Sequence, residues 1–368
     1  RQKFVYGNLC EGVPGCIANG IDEKTANKIY DEMIDFAKYA FNKSHAAAYA
    51  VVSYQTAWLK YYYPVEFMAA LMTSVIDNPG KVSEYIYSCR QMGIKILPPD
   101  INKGEGSFSV DGGNIRYGLA AIKSIGKPVI ESIIQERKNG GEFSNLKDFI
   151  ERLSGKEVNK RTIESFIKSG AFDSLGGTRK QFMVVYVQIL DQVNRERKYS
   201  MTGQLSLFDI VSDDQKSEFN IPLPDVGEYE KETKLAFEKE VLGVYLSGHP
   251  LEDYEEKWKK NISRTTLDFQ IDDETGRTKV HDGAKEIVGG MITNKTIKYT
   301  KTNKVMAFIT LEDLVGSVEV VIFPRDFEKN QMYLNEEAKV FIKGRVSEED
   351  DEPSKMICEK VIPFEQTK

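Results

Sequence analysis

The chain has little of the chemistry that marks most catalytic centres. Only three histidines and four cysteines occur in 368 residues. The cysteines are scattered, with neither the paired spacing of a zinc site nor the density of a disulfide framework. No Gly-Lys-Ser loop is present to cradle a nucleotide phosphate. These absences argue against zinc-dependent, disulfide-rich and P-loop proteins, and they indicate four ordinary thiols.

Long apolar runs are also missing. No stretch approaches the roughly 20 apolar residues that span a bilayer, and no charged-then-apolar leader opens the sequence. Hydrophobic residues make up 41% of the chain and charged residues 29%, which is typical of folded soluble proteins. We therefore expect a cytoplasmic protein without a membrane partner. Its length predicts about two to four domains, and a start at Arg1 instead of Met indicates a piece of a longer protein.

Charge is unevenly distributed along the chain. The net charge is −6, yet residues 115–200 hold 16 Lys and Arg against 10 Asp and Glu, whereas residues 201–283 hold 10 against 19. The first segment can attract phosphate and the second repels it.

The pattern predicts a multidomain α+β protein, mostly helical in its N-terminal part, with a five-stranded β-barrel of the OB type at its C-terminal end. Apolar residues recur at helical spacing over residues 22–72, and the turn at residues 77–80 precedes another helix over 81–92. Residues 108–110 and 115–117 flank a hairpin turn, and residues 119–198 alternate helices with glycine turns. Residues 201–224 predict a linker, and a charged helix follows over 228–246. Strands are predicted at 286–297, 305–311, 317–323, 338–346 and 354–362, with a short helix over 325–332. The predicted domains are 1–98, 99–200, 201–283 and 284–368.

A glycine hairpin in the basic segment predicts a phosphate-binding helix-hairpin-helix. Gly126 permits a tight turn, and Pro128 suits the first turn of the next helix, so backbone N–H groups can face one phosphate. The usual hairpin has a second glycine where Ser124 stands, and a second copy is plausible around Gly170. A helical hairpin that serves packing alone is the alternative. The predicted phosphate-binding residues are Lys123, Ser124, Gly126, Lys127, Lys160, Arg161 and Gly170.

An apolar pentapeptide lies in the predicted acidic linker, where no core requires it. It consists of Gln204, Leu205, Ser206, Leu207 and Phe208. Two large apolar anchors with a polar residue to fix the register suit an extended peptide bound in a partner's pocket. The pentapeptide resembles the sliding-clamp-binding consensus of bacterial replication proteins. The alternative is a loop that docks on its own domain.

Lysines surround an aromatic residue at the predicted first hairpin of the barrel. They are Lys295, Lys298, Lys301 and Lys304 around Tyr299. Such a loop suits single-stranded nucleic acid, although a solvated loop over an ordinary aromatic core has equal weight. At another predicted helix start, Lys43 and His45 can hold a phosphate. The alternative is that Asn42 or Ser44 caps the helix and His45 is a surface residue.

Catalytic residues and metal ligands are not predicted anywhere in the chain. The acidic clusters at residues 272–274 and 348–352 lie in apparent loops, where solvated charge explains them. Nucleotidyl transfer needs carboxylates that converge on two metal ions, and no such set is apparent.

Several long motifs resemble one family, the alpha subunit of bacterial DNA polymerase III of the DnaE type. Residues 41–50 (FNKSHAAAYA), 53–56 (SYQT) and 63–70 (YPVEFMAA) are similar to its fingers signature. Residues 97–102 (LPPDIN), 122–127, 169–173 (SGAFD) and 240–250 (EVLGVYLSGHP) are also similar to family motifs. The order of fingers, tandem hairpins, clamp peptide and OB barrel separates this type from the PolC type.

The resemblance implies a replicative DNA polymerase whose PHP domain and palm, with three catalytic aspartates, lie upstream of Arg1. It implies two Mg²⁺ ions in that palm and none in this chain. Implied partners are primer-template DNA, dNTP, the sliding clamp and other replisome subunits, with Lys43, Ser44 and His45 near the incoming nucleotide or template. Two rivals remain open, a non-catalytic repair or clamp-loading scaffold and an RNA-binding OB protein of the tRNA-synthetase kind.

Overall fold

A computed structural model describes residues 1–38, 43–153, 155, 158–201, 221–272, 276–348 and 352–367. The chain divides into two compact units, Arg1–Pro64 and Val65–Lys368. Each unit is described by itself.

The first unit is helical. It contains α1 (Gln2–Val5), α2 (Gly15–Ala18), α3 (Glu23–Lys38) and α4 (Lys43–Tyr62). The two short helices pack on each other and on α3. Gly15 is required where the loop closes, because a Cβ there would lie 2.3 Å from the backbone nitrogen of Gly7. The predicted helical periodicity of this region is confirmed.

The helical part of the second unit has one hydrophobic core. Its helices are α5 (Pro64–Ser74), α6 (Pro79–Gln91), α7 (Lys127–Gly140), α8 (Leu146–Arg152), α9 (Lys160–Ser169), α10 (Arg179–Met201) and α11 (Lys231–Leu242). Five buried phenylalanines form its centre with mostly edge-on ring contacts, and they are Phe143, Phe149, Phe166, Phe172 and Phe182. Helices α5 and α6 contribute Met68, Met72 and Ile86 to the same core. The domain boundary expected near residue 98 therefore crosses a continuous core.

A three-stranded sheet lies beside these helices. The predicted hairpin is present as β2 (Ser109–Asp111) and β3 (Asn114–Arg116). A third strand, β1 (Ile96–Leu97), pairs with β3 in parallel. Sequence analysis missed β1 because two residues before a proline pair carry no periodicity.

The C-terminal part is a closed five-stranded barrel with the order β4-β5-β6-β8-β7. Its strands are β4 (Lys285–Tyr299), β5 (Val305–Glu312), β6 (Ser317–Ile322), β7 (Lys339–Ser347) and β8 (Lys355–Pro363). The short helix α13 (Pro324–Asn330) lies between β6 and β7, as the sequence predicts. The fold class is thus confirmed.

A second apolar cluster joins the barrel to the helical part. Trp258 of α12 (Glu255–Asn261) is buried, and its indole N–H donates to the Gly289 carbonyl at 2.7 Å. Leu251, Phe341 and Phe364 are buried in this cluster, and Tyr87 of α6 packs against it. The barrel is therefore seated on the helical part through side chains from both. Among the described helices, none is both long and apolar enough to cross a bilayer.

Candidate nucleic-acid interface

The first hairpin has the backbone geometry that the missing glycine would provide. Ser124 has a φ of 69°, which lies in the left-handed region that favours glycine. Ile122 and Ile125 are buried on either side of it and fix the turn to the core. Ser124, Gly126 and Lys127 are exposed. The turn is therefore held open to solvent by its two apolar neighbours, despite the serine.

Three backbone donors at this hairpin are unused. Across the described ranges of the chain, the amides of Ser124, Gly126 and Lys127 donate no hydrogen bond. Gly126 is the N-cap of the 14-residue helix α7, and its own side chain can offer no cap. The helix dipole adds partial positive charge at the same point. Together with the lysine at 127, these groups are donors and positive charge of the kind that a phosphate oxygen accepts at a helix N-terminus.

The C-terminus of α11 supports this hairpin from behind. The Lys123 amide donates to the Val241 carbonyl at 2.8 Å, and the Lys123 ammonium donates to the Glu240 carbonyl at 3.2 Å. The Glu240 carboxylate in turn accepts from Lys168 at 2.8 Å. Lys123 therefore helps to anchor the hairpin, and its ammonium group faces the C-terminal end of α11.

The second hairpin differs from the prediction at Gly170. This residue is buried in a left-handed conformation, with a φ of 82°, as the C-cap of α9. Its amide donates to the Ile167 carbonyl at 3.1 Å, and the Arg179 guanidinium packs against its Cα. Because the amide is already used and shielded, Gly170 offers no backbone donor to a phosphate in this structure, and its phosphate-binding role stays a prediction that the geometry does not favour.

The helix that follows the second hairpin is already capped by an acidic residue. The amides of Arg179 and Lys180 lie 3.4 and 3.3 Å from the two carboxylate oxygens of Glu228. Thr178 and Gln181 cap each other's amides at 2.9 and 3.2 Å. The N-terminus of α10 thus holds the chain's own carboxylate, and sequence analysis missed Glu228 because it lies 49 residues away.

The other predicted basic residues lie at the start of α9. Asn159 caps this helix by accepting from the Thr162 amide at 3.1 Å. Lys160 is half-exposed and pairs with Asp191 at 3.4 Å. Arg161 is exposed. These two cations lie at the positive end of a helix, where an anion is the partner that the helix dipole favours.

A buried ionic network holds α11 to the helix-hairpin-helix core. Arg179 is 4% exposed and Glu238 is fully buried, with a nitrogen-to-oxygen distance of 3.2 Å. Asp173 gives Arg179 a second carboxylate at 2.9 Å. The other oxygen of Glu238 accepts from the amides of Leu246 and Ser247 at 3.0 and 2.9 Å. This network fixes the segment that leads from α11 into the barrel.

The same segment ends at a buried histidine. His249 is 8% exposed, and its Nδ1 accepts from the Leu251 amide at 3.1 Å. Burial, assisted by the positive charges of Arg90 and Lys239, lowers the pKa of His249 to about 3. The imidazole is therefore neutral at physiological pH and serves the packing of this junction.

The predicted lysine and aromatic set on the barrel is divided between two faces. A β-bulge between Ile292 and Asn294 shifts the alternation of β4 by one residue. Lys298 consequently lies on the outer face, with its ammonium 4.5 Å from the centre of the Phe308 ring. Lys295 and Tyr299 pair with Ile309 and Val305 and lie on the opposite side of the ribbon.

Two further predicted lysines lie in the turn after β4. Lys301 and Lys304 are exposed. The Lys304 amide donates to the Thr300 hydroxyl at 3.1 Å, and Asn303 adopts a left-handed φ of 57°. The turn is thus closed by its own side chains and presents both ammonium groups to solvent near the outer face.

The remaining predicted residues are only partly described. The backbone of Lys43 begins α4, and Ser44 and His45 lie in its first turn. The ring centres of His45 and Tyr49 are 4.4 Å apart. Gln204, Leu205, Ser206, Leu207 and Phe208 lie outside the described residues. In the described ranges, no group of three or more His, Cys, Asp or Glu side chains could hold a metal ion.

Two family models match the chain. One is described as "Helix-hairpin-helix motif" and matches residues 93–182. The other is described as "OB-fold nucleic acid binding domain" and matches residues 287–364. The first match contains the hairpin with the unused amides, and the second contains the outer face of the barrel.

Nearly the whole chain also matches curated proteins. The DNA polymerase III subunit alpha of Escherichia coli (strain K12) is 37% identical over 372 residues, covering 100% of this chain and 31% of that protein. The subunit from Mycobacterium tuberculosis (strain H37Rv) is 36% identical, covering 99% and 30%. The subunit from Thermus aquaticus is 36% identical, covering 100% and 28%. The chain thus spans about 30% of the length of these relatives.

Two solved structures are similar to a small part of the chain. Asparaginyl-tRNA synthetase from Pyrococcus horikoshii is 22% identical over 24% of this chain and 21% of its own, with a TM-score of 0.19. The mitochondrial single-stranded DNA binding protein Rim1 from S. cerevisiae is 11% identical over 24% of this chain and 100% of its own, with a TM-score of 0.21.

Proposed function

Because the chain belongs to the family of bacterial DNA polymerase III alpha subunits, we propose that it grips DNA for a template-directed DNA polymerase. The unused amides of Ser124, Gly126 and Lys127 carry this proposal, since they can bind an anion. They lie within residues 93–182, which match the helix-hairpin-helix motif. Phosphate contacts of this kind ignore base sequence, as a replicative enzyme requires.

Duplex binding can be measured by fluorescence anisotropy at several salt concentrations. Two duplexes of unrelated sequence are expected to bind with equal affinity, and affinity is expected to fall steeply as salt rises. Lys127→Ala should weaken both duplexes alike, whereas Lys138→Ala, a basic change at the far end of α7, should change neither. A strong preference for one sequence would contradict phosphate recognition.

The outer face of the barrel is proposed to hold the single-stranded template. Phe308 offers a ring on which a base can stack, and Lys298 lies over that ring. The matched control is Tyr299, which is 68% exposed and lies on the opposite side of the ribbon. Phe308→Ala should weaken binding of single-stranded DNA about tenfold, within the range measured for base stacking, and Tyr299→Ala should have a much smaller effect. The reverse order would place the strand on the other face.

The pentapeptide at residues 204–208 is proposed to tether the polymerase to the sliding clamp. Its composition supports this, with two large apolar residues next to a polar one. A tether raises the effective concentration of the enzyme at the primer end, so a modest affinity suffices. The double change Leu207→Ala and Phe208→Ala should weaken binding to immobilised clamp by about 2 kcal/mol or more. Duplex affinity, measured in parallel, should stay unchanged.

Chemistry is proposed to lie outside this chain. Template-directed synthesis with two magnesium ions needs a converging carboxylate set, and the described residues do not provide one. No step assigned to this chain therefore uses a metal ion. We propose that Lys43, Ser44 and His45 lie near the incoming nucleotide or template in the intact protein, which other replisome subunits join. Magnesium-dependent primer extension by this chain alone would refute its proposed inactivity.

A further inference from the structure

A polar cleft lies between the helical part of the second unit and the barrel. It has a volume of about 450 Å³ and is lined by the N-terminus of α6, the C-terminal end of α11 and the outer ends of β5 and β6. Lys239 and Glu312 form an ion pair at its edge. The walls come from elements that are distant in sequence, so the cleft exists only because the barrel is seated on the helices.

One wall of the cleft carries a carboxylate oxygen that lacks a hydrogen bond. Oε2 of Glu84 is buried and accepts no hydrogen bond from any residue that the structure describes. The Lys81 ammonium lies 3.5 Å from it. A buried acceptor without a donor is costly, and a ligand N–H that reached it would relieve that cost.

The opposite walls add further groups without partners in the described part of the chain. No hydrogen bond is made by the hydroxyl groups of Thr310 and Ser317, and none by the exposed Lys279 ammonium. The cleft thus offers an acceptor oxygen of Glu84, two hydroxyls and the Lys279 ammonium, beside the Lys239–Glu312 pair, Lys81 and the acidic side chain of Asp272. This set matches a nucleotide, which has base N–H donors, carbonyl acceptors and a phosphate.

The cleft continues the outer face of the barrel. Phe308, Thr310 and Glu312 alternate along β5 and share that face, and Thr310 also lines the cleft. Two residues along a strand span roughly 7 Å, so Phe308 is one short step from the cleft. A single strand that stacks on Phe308 therefore has the cleft directly ahead of it.

We propose that the cleft binds one nucleotide of the single strand and prefers a base with an exocyclic amino group. The Glu84 carboxylate accepts from that amino group, as acidic side chains do from N4 of cytosine, and Lys279 contacts the neighbouring phosphate. This inference rests on the proposed function of the barrel, because the strand must first lie on its outer face.

The test compares binding of two labelled single strands, a 15-residue oligo-dC and a 15-residue oligo-dT, at one salt concentration and neutral pH. The protein should bind oligo-dC about tenfold more tightly than oligo-dT, the lower end of what a hydrogen bond to a charged group provides. Glu84→Gln keeps the shape but loses the charge, and it should remove most of this preference. Glu256→Gln, an exposed change on α12 away from the cleft, should leave the preference intact.

Two lysine changes separate this inference from the function on which it rests. Lys279→Ala should weaken both oligonucleotides, whereas Lys360→Ala, an exposed lysine elsewhere on the barrel, should not. If the wild type bound oligo-dC and oligo-dT equally and Lys298→Ala weakened both, the cleft site would be overturned and the proposed function of the barrel would stand. A chain that binds neither oligonucleotide would overturn both.

Discussion

Replacing Glu238 tests how the first hairpin and the barrel are held together. This carboxylate is fully buried, pairs with Arg179 and accepts two backbone amides at 3.0 and 2.9 Å. Glu238→Ala leaves a buried guanidinium with Asp173 as its one carboxylate partner and two amides without an acceptor. Removing one partner of a buried pair costs about 3–5 kcal/mol, and each unsatisfied amide adds to that cost. Glu238→Gln keeps an acceptor but places an amide donor near Arg179, so about 2–4 kcal/mol is expected.

The assay is urea unfolding followed by circular dichroism, with Glu240→Gln as the matched control. Glu240 lies on the same helix and also pairs with a cation, Lys168, but its side chain is 57% exposed. An exposed pair contributes about 0–1 kcal/mol, so the control should change stability little. If Glu238→Gln cost no more than Glu240→Gln, the buried network would not be what fixes α11, and this reasoning would be refuted.

Two further predictions concern backbone strain and pH. Ser124→Gly should raise the free energy of unfolding by about 0.5–1 kcal/mol, because glycine adopts the left-handed φ of 69° without strain, whereas Ser83→Gly inside α6 should lower it by a similar amount. The check is urea unfolding of both variants. If Ser124→Gly and Ser83→Gly both stabilised the protein, or neither did, the assignment of strain to Ser124 would be contradicted. His249 is neutral in the fold with a pKa of about 3 against an ordinary 6.5, so the unfolded chain binds the extra proton between these values and stability falls as pH drops below 6.5. Burial raises the pKa of Asp313 to about 6, so the stability that Asp313 contributes falls as pH rises from 3.8 to 6, opposite to the His249 effect. The measured quantity is therefore the difference in unfolding free energy between wild type and His249→Gln. This difference should change by about 1 kcal/mol per pH unit between pH 6 and 4. Parallel pH profiles would contradict the assignment.

The barrel was predictable because its strands alternate. Each predicted strand lies within two residues of the observed one, since buried and exposed positions repeat with a period of two. Which residues of β4 lie on the outer face of the barrel was not predictable. Lys298 and Tyr299 are neighbours in one strand, so period-two alternation already places them on opposite sides. The one-residue bulge near Thr293, which nothing in the sequence marks, decides which of the two lies on the outer face.

The helical part shows the same limit at charged residues. The sequence predicts a charged helix over 228–246, and the observed helix is shorter, Lys231–Leu242, and ends at the left-handed Gly243. Its one fully buried carboxylate is explained by Arg179, which is 59 residues away, together with the amides of Leu246 and Ser247. The exposed turn at Gly126 was predictable from local turn chemistry, whereas the burial of Gly170 depends on a guanidinium from the next helix.

The central claim is that backbone amides of the first hairpin bind DNA phosphate. Lys127→Pro and Lys127→Ala both remove the charge, and only the proline removes the amide, at a first helical position where proline fits. Duplex affinity measured against salt should show a salt slope smaller by about one for both variants. The proline variant should bind more weakly than the alanine variant by about 1–3 kcal/mol, the value of a hydrogen bond to a charged group. Equal affinities would contradict the claim and leave the lysine as a simple charge.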